Sequence, residues 1–237
     1  MINAASGSQA NIAGIFNHNY INGTTRASLN NTNVTSDKNV DVKAADYDNL
    51  GTFEIATAGG FVEDFGSASA GFIENGNTIN CTIKADTSAT VSSLDVTTKN
   101  KFDVKADNLS RAYKSTGADA VAVSDIAVGF TLDILNQKST VSANVDNVNS
   151  KGKTLDITAT NYTDTDTWLG LIGVGVGYTS LYKPGVGVAG SIGVNYFDGA
   201  AKVGIKDSTL EFDKLNAKAT NTSNMNDGSA SIQFLTV

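Results

Sequence analysis

A five-residue motif, apolar–Asp/Asn–apolar–polar–Ala, occurs four times along the chain. The copies are Val40-Asp41-Val42-Lys43-Ala44, Phe102-Asp103-Val104-Lys105-Ala106, Leu155-Asp156-Ile157-Thr158-Ala159 and Leu215-Asn216-Ala217-Lys218-Ala219. Alternation with period two puts one set of side chains on one face of a strand and the other set in water. The motif starts at 40, 102, 155 and 215, steps of 62, 53 and 60 residues. A small-residue–Gly–X element precedes each copy, with its glycine at 14, 71, 129 and 190, which is 26, 31, 26 and 25 residues upstream. Between the two lies a further alternating run: Thr25–Leu29, Cys81–Lys84, Thr140–Ala143 and Lys202–Lys206. In Ala189 to Ala219 the unit reads as three short strands, Ser191–Phe197, Lys202–Lys206 and Leu215–Ala219, joined by polar turns. One such unit cannot bury its apolar face alone, but a stack of them can.

The expected fold is therefore an all-β solenoid, a single segment of about four imperfect repeats covering roughly 11–67, 68–125, 126–185 and 186–237. Unequal steps are insertions in the turns, which a solenoid tolerates. A period near 60 is long for one rung of a compact β-helix, so two or three coils per repeat are expected. Asn30–Asn33 and Asn147–Asn149 suit coil corners, where Asn accepts left-handed backbone. Two stretches depart from the pattern. Ser110 to Ser124 suits a loop or short helix. Trp168 to Gly193 reads as two Gly-Val strands joined by a turn at Tyr182–Gly185. The bare positions Gly173, Gly175, Gly177, Gly185 and Gly187 would let another backbone approach closely, inside the solenoid or at an assembly face. Lys183 and Pro184 cut this stretch into runs too short for a membrane-spanning helix.

Composition narrows the partners. The formal net charge is −7, and the 17 Lys and Arg residues are scattered, so no basic stripe marks a nucleic-acid binder. One Pro and 23 Gly in 237 residues favour regular strands over a loop-rich scaffold. Cys81 is the sole cysteine, which excludes a disulfide within the chain and suits a small buried apolar side chain. Met1 to Ala10 has neither a basic nor an apolar leader, and the repeat pattern begins at Asn11, as expected of a segment taken from a longer protein.

Candidates for chemistry are few. His18 is the only histidine and reads as a surface residue at a strand end, which leaves no Ser–His–Asp or zinc set. Asp164 and Asp166 fall on one side of an extended Thr-Asp-Thr-Asp-Thr segment and are the one candidate carboxylate pair for calcium. Neither a nonapeptide calcium repeat nor a bidentate Glu accompanies them, so a solvated strand is the favoured role. Asp41, Asp103 and Asp156, with Asn216 in the fourth copy, recur at one motif position and read as a repeated polar face. No catalytic residues, cofactor site or phosphate loop are identified. Asn-X-Ser/Thr triplets stand at Asn22, Asn30, Asn33, Asn80, Asn108, Asn161 and Asn221.

The run Ala-Gly-Ser-Ile-Gly-Val-Asn-Tyr-Phe (189–197), followed by Ala-Lys-Val-Gly-Ile-Lys-Asp-Ser-Thr-Leu (201–210) and Leu-Asn-Ala-Lys-Ala (215–219), resembles the repeat of leukotoxin-family filamentous adhesins. The likeness spans nearly the whole chain. It is best in the first and fourth copies, where Asn17 and Asn195 follow the Ala-Gly; Glu74-Asn75 and Asp133 mark the departures in the other two. The resemblance implies a right-handed parallel β-helix, exported as an autotransporter or two-partner passenger to the bacterial cell surface, and acting in adhesion or virulence. It brings no catalytic residues with it. The expected function is thus a non-enzymatic stalk or host-contact segment of a secreted adhesin or toxin. Its expected partners are a host-cell surface protein or glycan, neighbouring repeats, or other copies of itself. The alternatives are a self-assembling filament subunit and a carbohydrate-active β-helix enzyme.

Overall fold

The computed structural model describes residues 2–7, 10–61, 72–123, 126–176 and 186–236, with side chains over 18–51, 81–115, 132–169 and 192–229. Its strands are β1 (Ile2–Gly7), β2 (Ala10–Asn30), β3 (Val34–Ser36), β4 (Val40–Phe61), β5 (Phe72–Thr98), β6 (Lys101–Val123), β7 (Ile126–Val176), β8 (Val186–Lys206) and β9 (Thr209–Thr236). All pairings are parallel, and no helix occurs among the described residues. Val40 pairs with Phe102, Phe102 with Leu155 and Leu155 with Leu215, so the four copies of the closing motif stack in register.

Each repeat is a single coil of two long strands, not two or three coils. One half of the sheet holds β2, β5, residues 126–146 of β7, and β8. The other holds β4, β6, the second part of β7, and β9, with β1 against residues 55–60 of β4. Strand β7 passes unbroken through the corner and joins the halves into one nine-stranded sheet that folds over on itself. At about 3.3 Å per residue, the 21 residues of β2 extend roughly 70 Å. Strands in globular proteins seldom exceed about 10 residues. Here a neighbouring coil of like sequence supplies hydrogen-bond partners along the whole length.

That templating overrides local signals. Residues Ser110 to Val123 continue β6, paired on both sides, where a loop or short helix was expected. Ser191–Phe197 and Lys202–Lys206 are parts of one strand, β8, and the break between 189 and 219 falls only at Asp207–Ser208. In the second copy the register aligns Gly14 with Gly76 rather than Gly71, and Thr25 with Thr87 rather than Cys81. In the third, Phe130 takes the glycine's place, one residue past Gly129. The leading position then precedes the closing motif by 26, 26, 25 and 25 residues (14 to 40, 76 to 102, 130 to 155, 190 to 215), and the outlying spacing of 31 disappears.

The corner is a column of left-handed residues. Asn31, Ser93, Asn147 and Asp207 follow directly on the paired residues Asn30, Ser92, Asp146 and Lys206, and have φ of 51°, 55°, 52° and 46°. Asn and Asp tolerate this region; Ser and β-branched residues do so less well. Ser93 is held by its neighbours in the column, its hydroxyl accepting from Asn147 Nδ2 at 3.5 Å. Ser93→Val is expected to lower stability by about 1–2 kcal/mol, measured by urea denaturation; an unchanged midpoint would contradict the assigned corner geometry.

Next to the corner the two halves enclose an apolar block. Its ladders are Leu29, Val91 and Val145; Val42, Val104 and Ile157; and Ala44, Ala106 and Ala159. A second cluster, Leu50, Cys81, Ile83, Ala112 and Leu135, lies farther along. Cys81 is fully buried, as its small apolar character suggested, with the Asn19 amide nitrogen 3.7 Å from its sulfur.

Candidate functional site

Between these clusters the interior is polar. Asn108 Nδ2 donates to Asn161 Oδ1 at 2.9 Å, Asn161 Nδ2 to Asn221 Oδ1 at 2.7 Å, and Asn221 Nδ2 to the Gly199 carbonyl at 3.0 Å. A Cβ at Gly199 would lie 2.8 Å from Asn221 Oδ1, so the ladder needs glycine there. Asn108 and Asn161 are buried, which makes their triplets inaccessible to glycosylation in the folded chain, whereas Asn22, Asn30 and Asn33 are exposed. Gln137 Nε2 donates to the Ser110 carbonyl at 3.4 Å and Thr165 Oγ1 to Gln137 Oε1 at 3.3 Å. Beyond them Lys114 of β6 pairs with Asp133 of β7, both side chains without exposure. Lys114 is thus a basic residue placed inside the folded sheet rather than on its outer face.

Strand alternation turns Thr163, Thr165 and Thr167 inward, where they are buried, and Asp164 and Asp166 outward. Arg111 Nε lies 3.8 Å from Asp164 Oδ2. Among the described residues no three His, Cys, Asp or Glu side chains gather as a metal set. His18 is exposed within β2 rather than at a strand end and pairs with Asn80. Gly173 pairs with Ala120 and Gln233, Gly175 with Ala122 and Leu235, and Gly187 with Ala127. The two Gly-Val runs end β7 and begin β8; Gly177, Gly185 and the turn expected at Tyr182–Gly185 lie outside the described residues.

The recurring acidic column is a charge ladder on the outer face. Asp41, Asp103, Asp156 and Asn216 stack in register. Lys43 bridges Asp41 (3.6 Å) and Asp103 (3.1 Å), Lys101 bridges Asp103 (3.4 Å) and Asp156 (2.7 Å), and Asn216 donates to Asp156 at 2.6 Å. Repulsion between stacked carboxylates is thereby offset. Lys101 holds the Asp156 carboxyl below its usual range, so the stability this group contributes is present above the ordinary value of 3.8 and is lost as pH falls through the lower folded value.

Asp48 behaves in the opposite sense. Burial, and then the neighbouring Asp46 carboxylate, push its carboxyl above 3.8, against a hydrogen bond from Ser110. The folded state then holds the proton more tightly than the unfolded one, and stability falls as pH rises from 3.8 through the raised value. Asp48→Asn is expected to be more stable than the parent chain at pH 7, with the advantage vanishing below the usual carboxyl range. Urea midpoints at both pH values test this; a variant weaker at pH 7 would contradict it.

On the outer face, beyond the charge ladder, coils one to four form a cleft of about 510 Å³ lined by Gly51, Tyr113, Ser115, Asp166, Trp168 and Asn226 among others. Tyr113 is 43% and Trp168 53% exposed. Tyr113 pairs with Asp166 and Ser115 with Trp168, which makes the two aromatics diagonal neighbours on adjacent strands. A spacing of about 4.8 Å between strands and about 3.3 Å per residue separates their Cα atoms by roughly 8 Å. The Trp168 ring edge occupies the space of a side chain at Gly228: a Cβ there would lie 2.5 Å from Cε3 and 2.6 Å from Cζ3. Beside Gly51 nothing lies within 4 Å of where a Cβ would be, which leaves the cleft open on that side. Tyr113 and Trp168 were not anticipated as a pair; the signal was their shared outward parity, usable only once the 53-residue register is known.

The chain matches no family model, no curated protein and no solved structure. Fold and surface together define a class, a repetitive all-β protein of parallel coiled strands with an aromatic and polar outer face. No helix among the described residues is long and apolar enough to cross a membrane.

Proposed function

We propose that this chain is a non-enzymatic coil segment of a bacterial secreted or cell-surface adhesin or toxin, of the leukotoxin-like filamentous type, and that its outer face makes the contacts. In this proposal the coils are turns of a right-handed parallel β-helix, and the protein is extracellular. The observation that carries it is the in-register stacking of like coils, a geometry that extends by repetition and displays long solvent-facing strands. The outward aromatics of the cleft supply a surface suited to a partner. Binding of the purified, fluorescently labelled chain to cultured epithelial cells tests it. Saturable binding, displaced by unlabelled chain, is the expected result; its absence would sink the proposal. Incubation with polysaccharides is expected to give no cleavage products, and turnover would move the chain to the enzyme class.

One observation favours self-assembly as the second reading. Ile205, Leu215 and Met225 sit in register with the buried Val145, Leu155 and Thr165, yet are 41%, 50% and 55% exposed on coil four. A surface of this kind takes another coil of like sequence. Fibres that lengthen with protein concentration, seen by electron microscopy, would favour this reading over the first.

A further inference from the structure

Resting on the contact role just proposed, we infer that the Tyr113–Trp168 cleft is a binding site for a neutral saccharide. The floor of the cleft is mid-sheet: β6 lies between β4 and β7, and this part of β7 between β6 and β9, so the backbone groups are committed to the ladders and cannot take up an added peptide strand. Binding must therefore come from side chains. Two exposed aromatic rings offer faces to an apolar surface about one ring across, and the Trp168 ring is fixed because its edge fills the place left by Gly228. Asp166, Ser115 and Asn226, short hydrogen-bonding groups, line the same cleft. A ligand that stacks one apolar C–H face on an aromatic ring while its edge carries hydroxyls matches this arrangement; a purely apolar peptide would leave the carboxylate and amide unpaired.

The charge pattern selects among saccharides. Asp164 and Asp166 face the same side; the cation in the lining, Lys114, has its side chain buried against Asp133, and Arg111, two residues from Tyr113, is drawn to Asp164 at 3.8 Å. An anionic sugar or a phosphate backbone would be repelled, whereas a neutral one has hydroxyls to donate to the carboxylates. The volume of about 510 Å³ falls within the roughly 300–1,000 Å³ usual for small-ligand sites.

Trp168 is the only tryptophan, so its emission reports this site alone. Titration of the full chain with lactose, chitobiose and maltotriose is expected to shift or quench that emission saturably for at least one of them, while sialyllactose acts at least ten-fold more weakly than lactose. Tyr113→Ala, followed by the same emission, should weaken binding at least five-fold. Trp168→Ala, followed by calorimetry, should abolish it. Both side chains are exposed, so unchanged melting curves will show that the variants fold. No response to any neutral sugar at millimolar concentration, equal affinity for sialyllactose, or binding indifferent to both substitutions would overturn the inference. If cell binding persists in Trp168→Ala, the saccharide site is wrong while the contact role stands; if the parent chain binds no cells, the contact role itself fails.

Discussion

Replacing Lys114 with alanine is expected to destabilise the protein by about 3–5 kcal/mol, because it leaves the Asp133 carboxylate buried and uncompensated. Both side chains are without exposure; Lys114 Nζ donates to Asp133 Oδ1, and Asp133 Oδ2 has no hydrogen-bond partner. Burial pushes the Asp133 carboxyl up, and the Lys114 ammonium opposes that shift. In the variant burial and the Asp227 charge remain, both raising the carboxyl, and the group is driven toward its protonated form. The cost of Lys114→Ala should therefore shrink as pH falls. The double variant Lys114→Met with Asp133→Leu removes both charges at similar volume and should recover most of the loss, since an apolar pair avoids the desolvation of two ions. Urea unfolding of the two variants side by side reads the result. A single variant within about 1 kcal/mol of the parent would mean that the pair is not dry.

Phe102→Ala is the other large effect, about 3–5 kcal/mol from lost burial and the cavity left behind. Phe102 has no exposure and stands between Val40 of coil one and Leu155 of coil three. In a stack where each coil touches only its neighbours, a central cavity weakens two interfaces, and an end residue weakens one. Val40→Ala, at a half-buried position of coil one, should thus cost clearly less. Hydrogen exchange is the suitable measurement, because it resolves the coils separately. Phe102→Ala should speed exchange in β4, β6 and the second part of β7 together. Loss of protection confined to β6 would show that coils unfold independently of their neighbours.

Several features of the candidate surface were legible before any coordinates. The alternation in Tyr162–Trp168 separated the carboxylates of Asp164 and Asp166 from the threonines between them, and the fold turns the former out and the latter in. The recurring Asp41, Asp103 and Asp156 marked a polar column, and the Asn-rich runs marked the corner. The Lys114–Asp133 pair was not legible. Its members are 19 residues apart on opposite halves of the sheet, and the parity that separates inward Lys114 from outward Lys105 could not be carried through Ser110 to Ser124, which read as a loop or short helix. The neighbours Tyr113 and Trp168 were hidden for a related reason, since they meet only across the 53-residue step between coils.

Parity along each strand, the recurrence of the closing motif and the preference of Asn for the corner were all determined by the amino-acid sequence, because they depend on geometry within a few residues. Phase between coils and the pairing of one half of the sheet against the other were decided only by the tertiary structure. A period of two is unchanged when a strand slides by an even number of residues. Cys81 and Thr87, six apart and both buried on the inner face, satisfy the alternation equally well. Only the match of whole buried ladders, apolar on apolar and Asn on Asn, selects Thr87 as the partner of Thr25.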